Sequence, residues 1–267
     1  MTTHLDPIAA CCSTLYGHPL ATFLLGGSFH PGGLETTDAM AVAASIGRDH
    51  SVLDAGSGRG TTAVHLAETL GCHVTGLTLE REGVEEGLAL AEAHGVAHRT
   101  EFIQGDLLQS PLPVERYDRV LMECVLSTVS DKPAALGRMR DALRPDGQLA
   151  LTDVTLRGEV PEELTGAVET ALCLGGAMPL ETYVGTIEDA GFVVSEATEL
   201  PGLTESFIGD ARKRMALVEI AAGLGKLPVA RDMIDDVKRA LTTAGAMVAD
   251  GSLGYCRVVA SKAAPQV

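Results

Sequence analysis

Six cysteines stand in this chain of 267 residues: Cys11, Cys12, Cys72, Cys124, Cys173 and Cys256. Thiols act as nucleophiles and redox groups, or they ligate soft centres. Cys124 closes the apolar run RYDRVLMEC, Cys173 precedes a glycine pair in ETALCLGGA, and Cys11 and Cys12 are adjacent. Neighbouring cysteines rarely bond to each other, so Cys11 and Cys12 read as a further ligand or a resolving thiol. Cys72 and Cys256 fall inside predicted strands and read as core residues. No CxxC pair occurs, so a structural zinc site is not expected. There is no small-domain disulfide framework either, and the thiols read as reduced, in a cytoplasmic protein. A second chemical stretch is Asp54-Ala55-Gly56-Ser57-Gly58-Arg59-Gly60, between a strand and a helix that begins at Thr61. Its glycines allow a tight turn and close approach to a ligand, and the helix offers unpaired N–H groups. A third is SFHPGGLETT, residues 28–37, a Pro–Gly loop whose His30 could accept a proton or ligate a soft centre. Its plainer reading is a turn leading into a helix, with Thr36 or Thr37 as N-cap.

These groups need a frame, and the middle of the chain supplies one. SVLDAGSG opens with a strand and leads to a helix over Thr61–Leu70. CHVTGLTL is a second strand, followed by a Glu- and Ala-rich helix over Glu82–His94. TEFIQGDLL and RYDRVLMEC are the third and fourth strands, then comes a helix near Pro133–Leu143. GQLALTDV is the fifth strand, after the turn signal RPDG. Helices follow at Pro161–Leu172 and Pro179–Ala190, then the strands GFVVSEATE and SLGYCRVVASK. Residues Ile208–Leu224 and Val229–Ala249 read as helices with no strand between them. Strand–helix alternation at this spacing means right-handed crossovers and an α/β fold with helices on both faces of a mostly parallel sheet. In such a sheet ligands bind outside the carboxyl ends of the strands, where Cys124 falls.

The glycine stretch, with Asp54 before it and the spacing G-x-G-x-G, resembles the first motif of class I S-adenosylmethionine-dependent methyltransferases. The dinucleotide pattern would be G-x-G-x-x-G, so a dehydrogenase is disfavoured. The resemblance implies a Rossmann-like fold with a seven-stranded sheet and S-adenosylmethionine as cofactor. Asp54, Gly56, Ser57, Gly58, Gly60 and Thr61 then belong to the cofactor site, with Gly56–Gly58 beside the methionyl part. GDLLQSPLP matches the segment that reads the adenine, through Asp106 and the backbone of Leu107. Glu123, ending the fourth strand, belongs to the same site. The family's acidic residue at the end of the second strand is replaced by Thr78 in GLTLE. Thr78, the backbone near Leu79, or Glu80 takes the ribose hydroxyls. Two further stretches, Cys124 with its downstream DKP and Cys173 in CLGGA, look like those of arsenite methyltransferases, whose cysteines at these positions hold trivalent arsenic. Those enzymes carry an additional C-terminal domain, where this sequence has only a shorter helical stretch and a last strand.

The resemblance makes Cys124 and Cys173 ligands of the substrate metalloid, with Cys11, Cys12 and His30 as further candidates. Thiolates suit a soft trivalent centre and leave its lone pair free, and such an acceptor needs no strong general base. The expected organisation is an N-terminal helical lid over 1–37, a cofactor-binding core over 38–200, a helical insertion over 201–250, and a last strand and tail over 251–267. The leading function is methyl transfer to a metalloid such as arsenite. A small-molecule S-, Se-, O-, N- or C-methyltransferase, with the cysteines only lining the pocket, and a non-catalytic cofactor-binding module remain open. Partners are a small substrate and a thiol reductant, in a monomer or homodimer. With 20 basic and 36 acidic residues, a net charge of −16, the chain repels nucleic acid and anionic lipid. Four tyrosines, five phenylalanines and no tryptophan leave few base-stacking platforms. No apolar run reaches the ~18 residues a membrane span needs. Leu20–Phe29 is short, broken by glycines and not preceded by a basic stretch, so it does not read as a signal peptide.

Overall fold

The computed structural model describes residues 23–24 and 30–263. Seven strands form one sheet in the order β3-β2-β1-β4-β5-β7-β6. They are β1 (Ser51–Ala55), β2 (His73–Thr78), β3 (Thr100–Gln104), β4 (Tyr117–Glu123), β5 (Leu143–Leu156), β6 (Phe192–Glu199) and β7 (Leu253–Lys262). β1 to β5 are mutually parallel, and β7 runs antiparallel to both β5 and β6. β1 is buried at Val52, Leu53, Asp54 and Ala55, the near-continuous burial of a central strand covered on both faces. The sheet is flanked by α1 (Gly33–Ala43), α2 (Thr61–Leu70), α3 (Arg81–Ala93), α4 (Lys132–Ala142), the five-residue α5 (Ala167–Ala171) and α6 (Leu180–Asp189). α7 (Leu203–Gly223) and α8 (Arg231–Ala249) form the helical insertion before β7. Among the described residues no helix is long and apolar enough to cross a membrane.

After β1 the chain works outward to β2 and β3, then returns to place β4 on the other side of β1. Strand order reverses there, so the carboxyl ends of β1 and β4 border the crevice where open α/β sheets bind ligands. The insertion closes this end. Ile208, Ala211, Met215 and Val218 of α7 pack with Ile234, Leu241, Ala244 and Met247 of α8 in a cluster with Val154, Leu253 and Tyr255.

Several expectations are corrected. α1 begins at Gly33 behind a left-handed Gly32, so Thr36 and Thr37 lie inside the helix instead of capping it. Pro161–Leu172 is a 3-10 turn at Glu162–Leu164 followed by α5, because Gly166 adopts φ +71, ψ −126, which no α-helix accommodates. RPDG is a bulge within β5, whose register jumps from Tyr117–Leu143 to Arg119–Gln148. Cys72 stands just ahead of β2, not inside it, though it is buried as expected. α7 starts at Leu203, five residues before the helix expected from Ile208, because Gly202 caps it in the left-handed region.

α3 sits close to the sheet because glycines leave room for one ring. A Cβ added at Gly60, Gly76 or Gly87 would lie 2.6–2.7 Å from the Phe102 ring. Gly87→Ala therefore sets two effects against each other. Alanine gains about 1 kcal/mol of helix propensity, while overpacking costs about 1–3 kcal/mol. The expected outcome is a net loss of stability in urea unfolding, relieved when Phe102→Leu is added.

Candidate active site

The glycine loop is tied to the end of β2. The N–H groups of Gly56 and Ser57 both donate to the Leu77 carbonyl, at 2.8 and 2.9 Å. Gly56 has φ +91, and a Cβ there would meet the Val125 side chain at 2.5 Å, so the loop lies directly against the segment after β4. Gly58, at φ +52, has nothing within 4 Å of an added Cβ and faces open space. Gly60 precedes the first residue of α2, Thr61. The Ser57 hydroxyl is turned inward against Gly76 and has no hydrogen-bond partner.

Two carboxylates share the crevice. Asp54, the last residue but one of β1, is 3% exposed, and among the described residues its Oδ2 has no partner. Burial, and then the charge of Glu123, push its pKa well above the usual carboxylate range, against the opposing N–H of Ala63. Glu123, the last residue of β4, accepts hydrogen bonds from Thr37 Oγ1 at 2.9 Å and Thr62 Oγ1 at 2.6 Å. His30 Nε2 stands 3.8 Å from it, and His30 Nδ1 is buried without a partner. One carboxylate thus anchors the loop before α1, α1 itself and the first turn of α2. His30 belongs to this group and not to the thiols.

The thiols meet on the other side of β4. Cys124 and Cys173 both adopt left-handed backbone conformations, φ +54 and +55, which residues other than glycine seldom take. The Cys124 N–H is bonded to the Thr152 carbonyl at 2.8 Å, and its Sγ donates to the Tyr255 hydroxyl at 3.4 Å. Tyr255 in turn donates to Thr152 Oγ1 at 2.9 Å. Cys173 Sγ approaches the Cys124 carbonyl at 3.8 Å. Both thiols line a cavity of about 20 Å³, walled by Pro31, Val154, Leu172, Thr204, Phe207, Ile208 and Leu253. The neighbouring Cys173 and burial raise the Cys124 pKa well above its ordinary value, so its thiol is neutral near pH 7. Beneath lies Asp153, fully buried, accepting from the N–H groups of Ser127 and Val154, each at 2.8 Å. Cys256 and Cys72 are buried and pushed upward by burial, Cys72 to about 11. Among the described residues no three His, Cys, Asp or Glu are grouped to hold a metal ion. Cys11 and Cys12 lie outside the described residues.

At the crevice's other end, Asp106 Oδ1 accepts from the Leu108 N–H at 2.7 Å, and Arg138 Nε binds the Leu107 carbonyl at 2.7 Å, fixing this turn. Thr78 is buried beneath α3 near Gly83. The Leu79 carbonyl accepts from Gln104 at 3.3 Å, while Glu80 precedes α3 and makes no side-chain cap bond. The sequence reading missed Thr37, Thr62, Asp153, Thr204 and Tyr255. No local sequence signal flags the tyrosine, whose place follows from the antiparallel register that pairs Val154 with Tyr255.

A methyltransferase-domain family profile matches residues 46–201 of the chain. The methyltransferase GfsG of Streptomyces halstedii is 29% identical over 158 residues, covering 58% of this chain and 57% of its own length. The arsenite methyltransferase of Mus musculus is 30% identical over 198 residues, covering 66% and 50%. The chain thus spans about half the length of these curated relatives. The structure of phosphoethanolamine N-methyltransferase 2 from Haemonchus contortus, in complex with S-adenosyl-L-methionine, superposes with a TM-score of 0.79 at 18% identity, covering 97% of this chain and 61% of that one. The chain belongs to the methyltransferase-domain family. Its fold is the class I Rossmann-like methyltransferase fold, and the cofactor of that class is S-adenosylmethionine.

Burial raises the pKa of Asp153 to about 6 from an ordinary 3.8. The native state therefore holds a proton that the unfolded chain has released, a difference of roughly 3 kcal/mol. That contribution is fully present below about pH 4 and is lost as pH rises through about 6. Urea midpoints should fall between pH 4 and pH 7, and Asp153→Asn should flatten the slope while lowering overall stability, since one N–H loses its acceptor.

Proposed function

We propose that this chain transfers the methyl group of S-adenosylmethionine to a soft, thiol-seeking acceptor, a trivalent metalloid such as arsenite, held by Cys124 and Cys173. One observation carries the reading: two cysteines 49 positions apart stand together in one cavity at the carboxyl end of β4, and Val125, next to Cys124, packs against Gly56 of the glycine loop. The crevice suits the cofactor. Gly58 leaves open space above the loop, and the orphaned Asp54 Oδ2 is a buried acceptor awaiting a donor such as an ammonium. When bound, the cofactor supplies an electrophilic methyl on a sulfonium.

The chain's own residues then divide the work. Gly56, Ser57 and Gly58, with the start of α2 at Gly60 and Thr61, cradle the methionyl part through backbone groups. Asp54 takes its amino end, and Glu123 holds the surrounding elements in place. Of the candidates for the ribose, Thr78 is packed under α3 and the Leu79 carbonyl is engaged, which favours Glu80. Asp106 and Leu107 take the adenine. The neutral Cys124 thiol suits the acceptor chemistry. A trivalent hydroxide condenses with two thiols, forming two sulfur–metalloid bonds and releasing two waters, with no net charge buried. The lone pair stays on the metalloid, and holding it in place before the methyl supplies much of the rate through orientation. Cys11, Cys12 and His30 stay candidates as auxiliary groups. A second reading rests on the apolar cavity wall: a small O-, N-, C- or S-nucleophile could be the acceptor, with the cysteines only lining its pocket.

The test is release of S-adenosylhomocysteine over a panel of arsenite, selenide, small thiols and small phenols. Cys124→Ser and Cys173→Ser should each lower arsenite turnover about 100-fold or more, the scale of removing a group the reaction depends on, with S-adenosylmethionine affinity unchanged by calorimetry. Wild-type turnover in both variants would leave the pocket-lining role alone.

A further inference from the structure

The cavity beside the thiols contains a polar group that the chemistry above leaves unused. Thr204, in the first turn of α7, is 7% exposed, and among the described residues its Oγ1 has no hydrogen-bond partner. It lines the same cavity as Cys124 and Cys173. Thr204, Phe207 and Ile208 follow i, i+3, i+4 spacing, so one face of α7 forms this wall. Buried hydroxyls nearly always find a partner, because leaving one unpaired forfeits its hydration without return. A resident water would need two or more polar partners, and a cavity of about 20 Å³ has room for about one. Among the described residues the rest of the wall is hydrocarbon apart from the sulfurs, so water is poorly held there.

We infer that Thr204 is a specificity-determining residue whose hydroxyl hydrogen-bonds a polar group on the acceptor bound in the cavity it shares with the thiols. The inference rests on reading this cavity as the acceptor pocket. It also narrows the acceptor to a small neutral molecule with a soft face and one remaining hydroxyl. A trivalent metalloid hydroxide meets that description. Its condensation with two thiols expels two hydroxyls as water, and the third remains on the metalloid. Thr204 is the unpaired hydroxyl in the wall available to it.

The experiment compares wild type, Thr204→Val, Thr204→Ser and Cys124→Ser, with arsenite and a small phenol as acceptors. Valine keeps the shape and removes the hydroxyl. Thr204→Val should raise KM for arsenite about tenfold, the worth of one net hydrogen bond, with S-adenosylmethionine affinity unchanged. Thr204→Ser should bring KM back toward wild type. Because the hydroxyl lacks a protein partner, the ligand-free Thr204→Val protein should melt at or above the wild-type temperature, which a structural role would not allow. An unchanged KM, or a clear drop in melting temperature, overturns the inference. Failure of the metalloid reading is seen separately: Cys124→Ser would then turn over its acceptor like wild type. The Thr204→Val comparison would then be made on the phenol, where an unchanged KM again overturns the role of Thr204.

Discussion

The parallel pairing of β1 with β4 is the constraint on which the site depends. Val52 opposes Arg119, Leu53 opposes Val120 and Asp54 opposes Leu121. Because β4 returns to the opposite side of β1 from β2, the two carboxyl ends finish side by side with no helix between them. The glycine loop leaves one end, and Glu123 and Cys124 leave the other. A slip of one residue would turn Asp54 and Glu123 to the wrong faces. The Val125 side chain, pressed against Gly56, holds the two ends in contact.

This meeting point sets two electrostatic problems, and the chain solves them differently. Asp54 and Glu123 are two acids in a water-poor crevice. Glu123 is satisfied by two threonine hydroxyls, whereas Asp54 keeps an unpaired oxygen and an elevated pKa. An acid left short of donors fits a site built for a cationic group. Cys124 is kept neutral by its neighbour and by burial, and it is hydrogen-bonded into a chain through Tyr255 to Thr152. The two halves of the crevice therefore differ in character, one holding two acids and the other a neutral Cys124 thiol beside an apolar wall. The α7–α8 insertion supplies the apolar wall of the second half.

Much of this was legible beforehand. The strands around the glycine loop are β-branched runs bounded by turn signals, and α2 and α3 fall within a residue of their expected limits. The failures have local causes. The helix expected from Ile208 begins at Leu203, because Gly202 caps α7, and Thr204 went unnoticed as a helix residue lining a cavity. RPDG reads as a turn because its residues favour turns, yet the neighbouring strand absorbs it as a bulge. Thr37 reads only as a helix N-cap and Thr62 only as a weak helix former, so neither points to Glu123.

Local composition by itself determined the order of strands and helices, the glycine loop and its Asp54, and the two cysteines worth watching. Those features follow from spacing and residue type, which act over a few neighbours. Tertiary structure alone decided that Cys124 meets Cys173, that Tyr255 reaches Cys124 from β7 (131 residues away), and that Thr204 lines the same cavity as both cysteines. Contacts at such separations are set by strand order, antiparallel register and helix packing, and those are properties of the folded chain as a whole.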